Sequence, residues 1–443
     1  MKDKRVVVVG LGTSGIAACR LLKKRGAHVV GTDSKSTVSD AARALANEGI
    51  ELVLGGHGAA RMSEADLIVI SPGVPMFDEL RAAEEKGVAI WGEVELATRL
   101  LAKPAPIVAI GGTNGKSTVT SLVGALLERV GSRTFIGGNL GEPLASHADE
   151  SFDAIVLEVS SFQMERVESF HPKVAALLNV TPDHLDRYED VAAYANAKGN
   201  AFSNQTAGDI AVVPANDEVC LAQARRGKGR VVTFGPGGDI DVLAHAIVDR
   251  KNEISYERRR IYLKGGHNAL NVAAALAAIQ PFALPSLEVT EVLASFRGLP
   301  HRMAFVRRVA GVAYYDDSKG TNVGASVTAV RGIDEAKVVL IAGGKDKGGS
   351  YAPLVDALRE RGRAAVLIGE AKELIAKAIG DTIPVKKAAS MDEAVSLAAK
   401  VAEPGDAVLL SPACSSFDMF ADYKARGDAF VSAVQALPGE SQP

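Results

Sequence analysis

Residues 107–120 read IVAIGGTNGKSTVT, a run of strand-forming residues that breaks into glycines and then presents a lysine followed by two hydroxyls. That order describes a phosphate cradle. Val108 to Ile110 end a buried strand, Gly111, Gly112 and Gly115 let backbone N–H groups turn toward an anion, and a helix from Ser117 onward points its positive end at it. Lys116 adds a mobile charge for terminal phosphates, and the Ser117 hydroxyl is placed to ligate magnesium. The loop is a variant: the standard P-loop has four residues between its glycines, whereas three separate Gly111 from Gly115. A plain strand-to-helix turn explains the glycines but not the Gly-Lys-Ser-Thr ending, so nucleotide phosphate binding is the stronger reading.

The chain around this stretch has 443 residues, more than a single core ordinarily serves, and the length predicts about three domains. With 50 basic and 53 acidic residues and a pI near 6.3, it has no charge excess for nucleic acid or an anionic membrane, so anions must be held by local sites. The three cysteines, Cys19, Cys220 and Cys414, lack metal-knuckle or disulfide-framework spacing, and a reducing cytoplasm is expected. The apolar run from Val6 to Val9 is too short for a signal sequence or a membrane span.

Upstream of the cradle, residues 1–95 begin with a strand, then Gly10-x-Gly12-x-x-Gly15, an amphipathic helix and a second strand closed by Asp33, 18 positions after Gly15. This is a dinucleotide-type fingerprint, yet its physics requires only a diphosphate near a helix N-terminus, which a nucleotide-diphosphate substrate also supplies. A strand at 67–70, a stiff loop at 71–75 and a helix at 78–86 follow.

Residues 96–299 form the domain of the cradle. Its strand 154–159 holds one charge, Glu158, which is costly unless a cation meets it; magnesium at Ser117 is the favoured partner and an arginine the alternative. After strand 174–180, Thr181 and Pro182 resemble a helix N-cap and first position, placing His184 at a strand's carboxyl end. Lys198 lies in a helical stretch at 191–202, and Asn268 and Asn271 fall about one turn apart, so both amides can face one ligand, although capping alone also explains Asn268. Residues 300–443 read as a third α/β unit, with strands at 314–317, 338–342, 365–368 and 408–410 and helices at 351–361 and 391–401. Donor-rich loops at 316–322, 343–347 and 411–417 follow its strands and suggest a small anionic substrate.

Seven motifs, GGTNGKST, LEVSSFQ, NVTPDHLDRY, GGHNALN, GLPHR, YDDSKGTN and LLSPACSSFDMF, occur in the order found in the Mur ligase family, which the chain resembles over nearly its whole length. The resemblance implies a three-domain α/β fold: an N-terminal Rossmann-like domain, a central P-loop-type ATP-binding domain with a mostly parallel sheet, and a C-terminal Rossmann-like domain. DDSKGTN and SPACSSFD look like the versions of the D-glutamate-adding branch. The implied reaction is ATP-dependent addition of D-glutamate to UDP-N-acetylmuramoyl-L-alanine through an acyl phosphate. This is a step of cytoplasmic peptidoglycan precursor synthesis, and hence of cell-wall growth, cell shape and division.

By the same resemblance Gly112, Thr113, Asn114, Gly115, Lys116, Ser117, Thr118, Asn268, Asn271, Arg302 and Asp317 would serve ATP. Gly12, Thr13, Ser14, Gly15, Asp33, Ser34, Gly73 and Asn139 would serve the UDP-sugar. Lys319, Thr321, Lys347, Ser416 and the Tyr423 backbone would meet D-glutamate, with Lys345 an alternative to Lys347 and tyrosine standing where the family usually has phenylalanine. Lys116, His184, Lys198 and Lys319 are the expected catalytic set. Two magnesium ions are implied, one held by Ser117 and Glu158, the other by His184 and a carbamylated Lys198. A monomer is expected, with neither nucleic-acid nor membrane partners. A sister ligase adding another amino acid, or a folylpolyglutamate-type synthetase, is the alternative. A nicotinamide dehydrogenase built on Gly10 to Gly15 would leave the cradle unexplained, and a nucleotide sensor would bind ATP without releasing phosphate.

Overall fold

A computed structural model describes residues 1–185, 187–346, 348 and 350–439. Contacts divide it into two units: Met1–Val180, Tyr188–Ile261 and Leu270–Ser295 form the first, and Thr181–Arg187, Tyr262–Ala269 and the chain from Phe296 onward form the second. The first unit holds two sheets and the second holds one.

The N-terminal sheet is wholly parallel, in the order Glu51–Leu54, His28–Asp33, Arg5–Val9, Leu67–Ile70, Ala89–Gly92. Successive valines of the central strand face opposite sides. Val6 and Val8 join a core with Ile16 and Leu22 of helix Thr13–Lys24, while Val7 and Val9 join another with Leu80 of helix Asp78–Glu85. Cover on both faces is why this strand reads as unbroken valine. The strand order reverses beside Arg5–Val9, which opens a crevice at its carboxyl end where Gly10 begins the glycine loop.

The last strand of that sheet runs directly into helix Glu93–Arg99, whose two glutamates are almost wholly buried. Glu95 accepts the backbone N–H groups of Glu168, Ser169 and Phe170 at 2.9, 2.9 and 3.0 Å, together with the Ser169 hydroxyl. Glu93 accepts the Ala145 N–H through Oε1 at 2.8 Å, while its Oε2 has no hydrogen-bond partner among the described residues. Gly92 N–H adds a bond to the Arg166 carbonyl at 2.8 Å. These bonds fasten the end of the N-terminal sheet to the layer built around the cradle.

The second sheet has nine strands, in the order Ile254–Glu257, Ala246–Asp249, Ile240–Val242, Arg230–Phe234, Ile210–Pro214, Val174–Leu177, Ile107–Gly111, Ala154–Glu158, Thr134–Gly138. All neighbours are parallel except the two pairs that join Ile240–Val242, Ala246–Asp249 and Ile254–Glu257. The cradle strand, buried along its length, pairs with Val174–Leu177 on one side and Ala154–Glu158 on the other, and helix Lys116–Arg129 starts one residue earlier than the sequence suggested. Helix Val191–Gly199 ends before residue 202. The reading of Thr181 and Pro182 as a helix start is wrong: among the described residues no helix forms there. His184 has φ +54, in the left-handed region, and its N–H is taken by the Asp183 side chain at 3.0 Å, so the segment turns instead of coiling.

The sheet of the second unit has the order Ala304–Val309, Val312–Asp316, Ala407–Leu410, Val338–Gly343, Gly362–Ile368, Val385–Lys387, parallel except for its first pair. Each strand expected from the sequence is present, somewhat displaced or extended, and helices Ala352–Arg361 and Met391–Val401 lie where expected. Val385–Lys387 and the antiparallel edge strand Ala304–Val309 are additions.

Burial pushes the Glu93 carboxyl up to about 7, against the opposing pull of the Ala145 N–H. A carboxyl raised in the folded state favours folding while protonated, so this contribution is full below its ordinary 4.5 and is lost as pH rises through about 7. Glu93→Gln keeps an acceptor for Ala145 and removes the titration. Urea unfolding at pH 5 and pH 8 should show wild-type stability falling between them by on the order of 3 kcal/mol more than that of the variant. Equal slopes would show that Glu93 does not titrate in this range.

Candidate functional site

The cradle is held open by side chains that bond to its backbone. Thr113 N–H donates to the Asn179 carbonyl at 3.0 Å, and the Asn179 side chain binds the Asn114 N–H at 2.9 Å and the Asn114 carbonyl at 3.0 Å. Lys198, buried at 5 % exposure, donates to the Gly112 carbonyl at 2.9 Å, with its ammonium 4.4 Å from the Tyr194 ring centre. The Thr113 hydroxyl lies 3.4 Å from the Tyr194 hydroxyl, and Lys116 reaches the Thr113 carbonyl at 2.8 Å.

Gly115 precedes helix Lys116–Arg129 at φ 89, and no side chain caps the helix from that position. A β-carbon on Gly115 would lie 2.5 Å from the Asn271 amide oxygen. Asn271 is therefore brought against the cradle, with Gly112, Thr113, Asn114, Lys116 and Lys198. Ser117 and Thr118 lie buried in the first turn. The helix end thus offers N–H groups, a lysine and a hydroxyl to one anion.

Glu158 ends the neighbouring strand, in register with Ile110, and is 2 % exposed. Its Oε1 accepts the Asn139 amide at 2.6 Å, and Asn139 N–H bonds the Glu158 carbonyl at 2.9 Å. A residue expected at the UDP-sugar and one expected at a metal thus touch each other. Among the described residues no group of three or more His, Cys, Asp or Glu side chains could hold a metal. Ser117 and Glu158 nevertheless offer oxygen, the donor magnesium prefers, and fit an ion that takes its other ligands from phosphate and water.

In the N-terminal loop, a β-carbon on Gly15 would overlap the Gly10 carbonyl oxygen, which also accepts the Ser71 hydroxyl at 2.7 Å. Helix Thr13–Lys24 starts after Gly12 with no side-chain cap bond from that position, and Gly73 is exposed on the loop after strand Leu67–Ile70. Asp33 accepts Leu11 N–H at 2.9 Å and Lys35 N–H at 3.0 Å, so it shapes the glycine loop and the turn that holds Ser34.

The described residues expected at the amino acid, Lys319, Thr321, Ser416 and Tyr423, belong to the second unit. Asp317 is buried and accepts the Ser411 hydroxyl at 2.7 Å; desolvation raises its carboxyl to about 7, opposed by that bond and by Arg302. Lys319 lies 5.1 Å from the Tyr423 ring centre, and its N–H bonds the His301 carbonyl at 3.0 Å. Thr321 N–H bonds the Lys319 carbonyl at 2.8 Å. Lys345 and Ser415 form a two-bond bridge beside Ser416, which is 3 % exposed. Lys347 lies outside the described residues. His184 belongs to this unit, where its neighbour Asp183 meets Asn322 at 3.4 Å. Asn268 also belongs here; it lies in the first turn of helix Gly266–Ala278 and donates to the Lys264 carbonyl at 2.9 Å.

Sequence reasoning gave no role to Asn179, Tyr194, Glu93, Glu95 or Arg426. Only the glutamates left a usable signal, two acids within the otherwise apolar WGEVELA.

Three family models match the chain in order: the Mur ligase MurD-like N-terminal domain over residues 4–92, the Mur ligase middle domain over 110–279 and the Mur ligase glutamate ligase domain over 301–414. The UDP-N-acetylmuramoylalanine–D-glutamate ligase of Geotalea daltonii is 44% identical over 453 residues, covering 99% of each chain. That of Trichlorobacter lovleyi is 44% identical over 451 residues, covering 99% of this chain and 100% of its own. Among solved structures, UDP-N-acetylmuramate–alanine ligase of Thermotoga maritima matches with TM-score 0.60 at 20% identity, covering 98% of this chain and 100% of its own. Folylpolyglutamate synthase of Mycobacterium tuberculosis, solved with ADP and AMPPCP, matches with TM-score 0.60 at 18% identity over 76% of this chain and 92% of its own. The two structural matches speak for the fold, and the full-length identity speaks for descent: the chain belongs to the Mur ligase family, alongside its UDP-N-acetylmuramoylalanine–D-glutamate ligases.

Proposed function

We infer that the chain joins D-glutamate to UDP-N-acetylmuramoyl-L-alanine at the cost of ATP, as an acid–amino-acid ligase of peptidoglycan precursor synthesis. The observation that carries this reading is 44% identity over 99% of the chain to ligases of that name, beside a phosphate cradle whose backbone is fixed in advance. A carboxylate oxygen of the alanyl substrate attacks the γ-phosphorus, and the bond to ADP breaks. The amine of D-glutamate then attacks the acyl carbon, phosphate leaves, and the amine loses its proton. Charge stabilisation and positioning dominate such a transfer. Lys116 and the first N–H groups of helix Lys116–Arg129 supply positive potential at the transferred group.

Further assignments extend this reading. Domain limits are proposed near residues 95 and 299, the UDP-sugar is assigned to the Gly12 to Gly15 loop with Asp33, Ser34, Gly73 and Asn139, and ATP to the cradle with Asn268, Asn271, Arg302 and Asp317. D-Glutamate is assigned to Lys319, Thr321, Lys347, Ser416 and Tyr423. Magnesium, when bound, supplies Lewis-acid charge at the phosphates, and Ser117, Glu158, His184 and Lys198 are the residues proposed to hold it at two sites. A carbamylated Lys198 would present oxygens to such a cation and still keep one N–H for the Gly112 carbonyl. No helix of the described residues is long and apolar enough to cross a membrane, and a cytoplasmic monomer is proposed.

Phosphate release from ATP should require both UDP-N-acetylmuramoyl-L-alanine and D-glutamate. Release without the amino acid, or equal use of other amino acids, would count against the assignment. Lys116→Ala should lower turnover by roughly two orders of magnitude or more with an unchanged circular dichroism spectrum; near-normal turnover would remove the cradle lysine from the chemistry. Lys198→Ala should be nearly inactive and regain part of its activity with added acetate, which replaces the lost carboxylate. Intact activity without acetate would refute the carbamate.

A further inference from the structure

Arg426 is one of the largest fully buried side chains, at 1 % exposure, on helix Tyr423–Gln435. Burial lowers its guanidinium to about 10, so it remains a cation at neutral pH. Among the described residues no carboxylate lies within ion-pair distance of it; its donors go instead to the carboxyl-terminal ends of three different strands and the loops that leave them. Nε donates to the Ser318 hydroxyl at 3.0 Å and Nη2 to the Ser318 carbonyl at 2.8 Å. Nη1 donates to the Cys414 carbonyl at 3.1 Å and approaches the Gly343 carbonyl at 3.5 Å. Ser318 in turn donates its hydroxyl to the Tyr423 carbonyl at 2.8 Å. One planar fork thus fixes the starts of the segments that carry Lys319 and Thr321, Lys345 and Ser416, and through Ser318 the first residue of its own helix.

We infer that Arg426 is the positioning residue of the amino-acid site, setting the spacing of the three strand-end loops that receive the dicarboxylate without touching it. The inference rests on the assignment of D-glutamate to these loops. Its geometry requires a fork: a lysine keeps the charge but reaches one acceptor at a time, so the loops lose their common reference. The cost then falls on the loops that carry Lys319, Thr321 and Ser416, whereas the N-terminal glycine loop assigned to the UDP-sugar has no residue bonded to this side chain.

Steady-state kinetics of the full chain, varying each substrate in turn, tests this. Arg426→Lys should raise KM for D-glutamate roughly 10- to 100-fold, with KM for the UDP-sugar within about twofold of wild type. Ser318→Ala, a smaller change that breaks the relay to Tyr423, should shift the same constant in the same direction and decides the matter if Arg426→Lys does not fold. Ser416→Ala reports on the site itself. If Ser416→Ala raises KM for D-glutamate while the folded Arg426→Lys and Ser318→Ala do not, the positioning role is overturned and the site assignment survives. If none of the three changes that constant, the site assignment fails and takes the positioning role with it.

Discussion

At Gly115 the backbone enters the left-handed region, and the amide oxygen of Asn271 occupies the space a side chain would need. No other residue satisfies both conditions without strain. That turn aims the first N–H groups of helix Lys116–Arg129 across the end of the sheet, and the neighbouring bonds from Asn179 and Lys198 keep the loop from relaxing once it has turned. A loop fixed before its ligand arrives loses little further entropy on binding, which is what a site working mainly by electrostatics requires.

The same economy governs the joint after the N-terminal sheet. Glu95 is affordable in the interior because four donors from residues 168–170 and the Arg99 guanidinium converge on it. Glu93 has one donor, and burial keeps its proton bound nearly to neutrality. Two acids two residues apart therefore behave oppositely, since desolvation acts on both and hydrogen bonds outweigh it at only one.

Much of the fold was legible because parallel strands buried on both faces must be apolar throughout, and glycines must stand where a chain turns toward an anion. Val6 to Val9 and residues 107–111 announced themselves in this way. Thr181 and Pro182 misled for an equally physical reason: an N-cap signature describes what a local segment tolerates, and the left-handed His184 with its Asp183 bond overrode it. Asn179 and Arg426 were silent. A residue whose side chain bonds to distant backbone has no local pattern, since its partners lie 65 and 108 positions away.

Each of the three sheets places a glycine-bearing loop at strand ends and stabilises it with a polar side chain from elsewhere in the fold: Asp33 on Leu11, Asn179 on Asn114, Arg426 on Ser318 and Cys414. Backbone N–H groups that will face a ligand cannot also be used to hold the loop, so the holding falls to side chains directed at the remaining N–H and carbonyl groups. The choice among them follows the number of loops to be gathered. A carboxylate or an amide is enough for one loop, whereas gathering three strand ends takes donors spread over one rigid plane, which arginine provides.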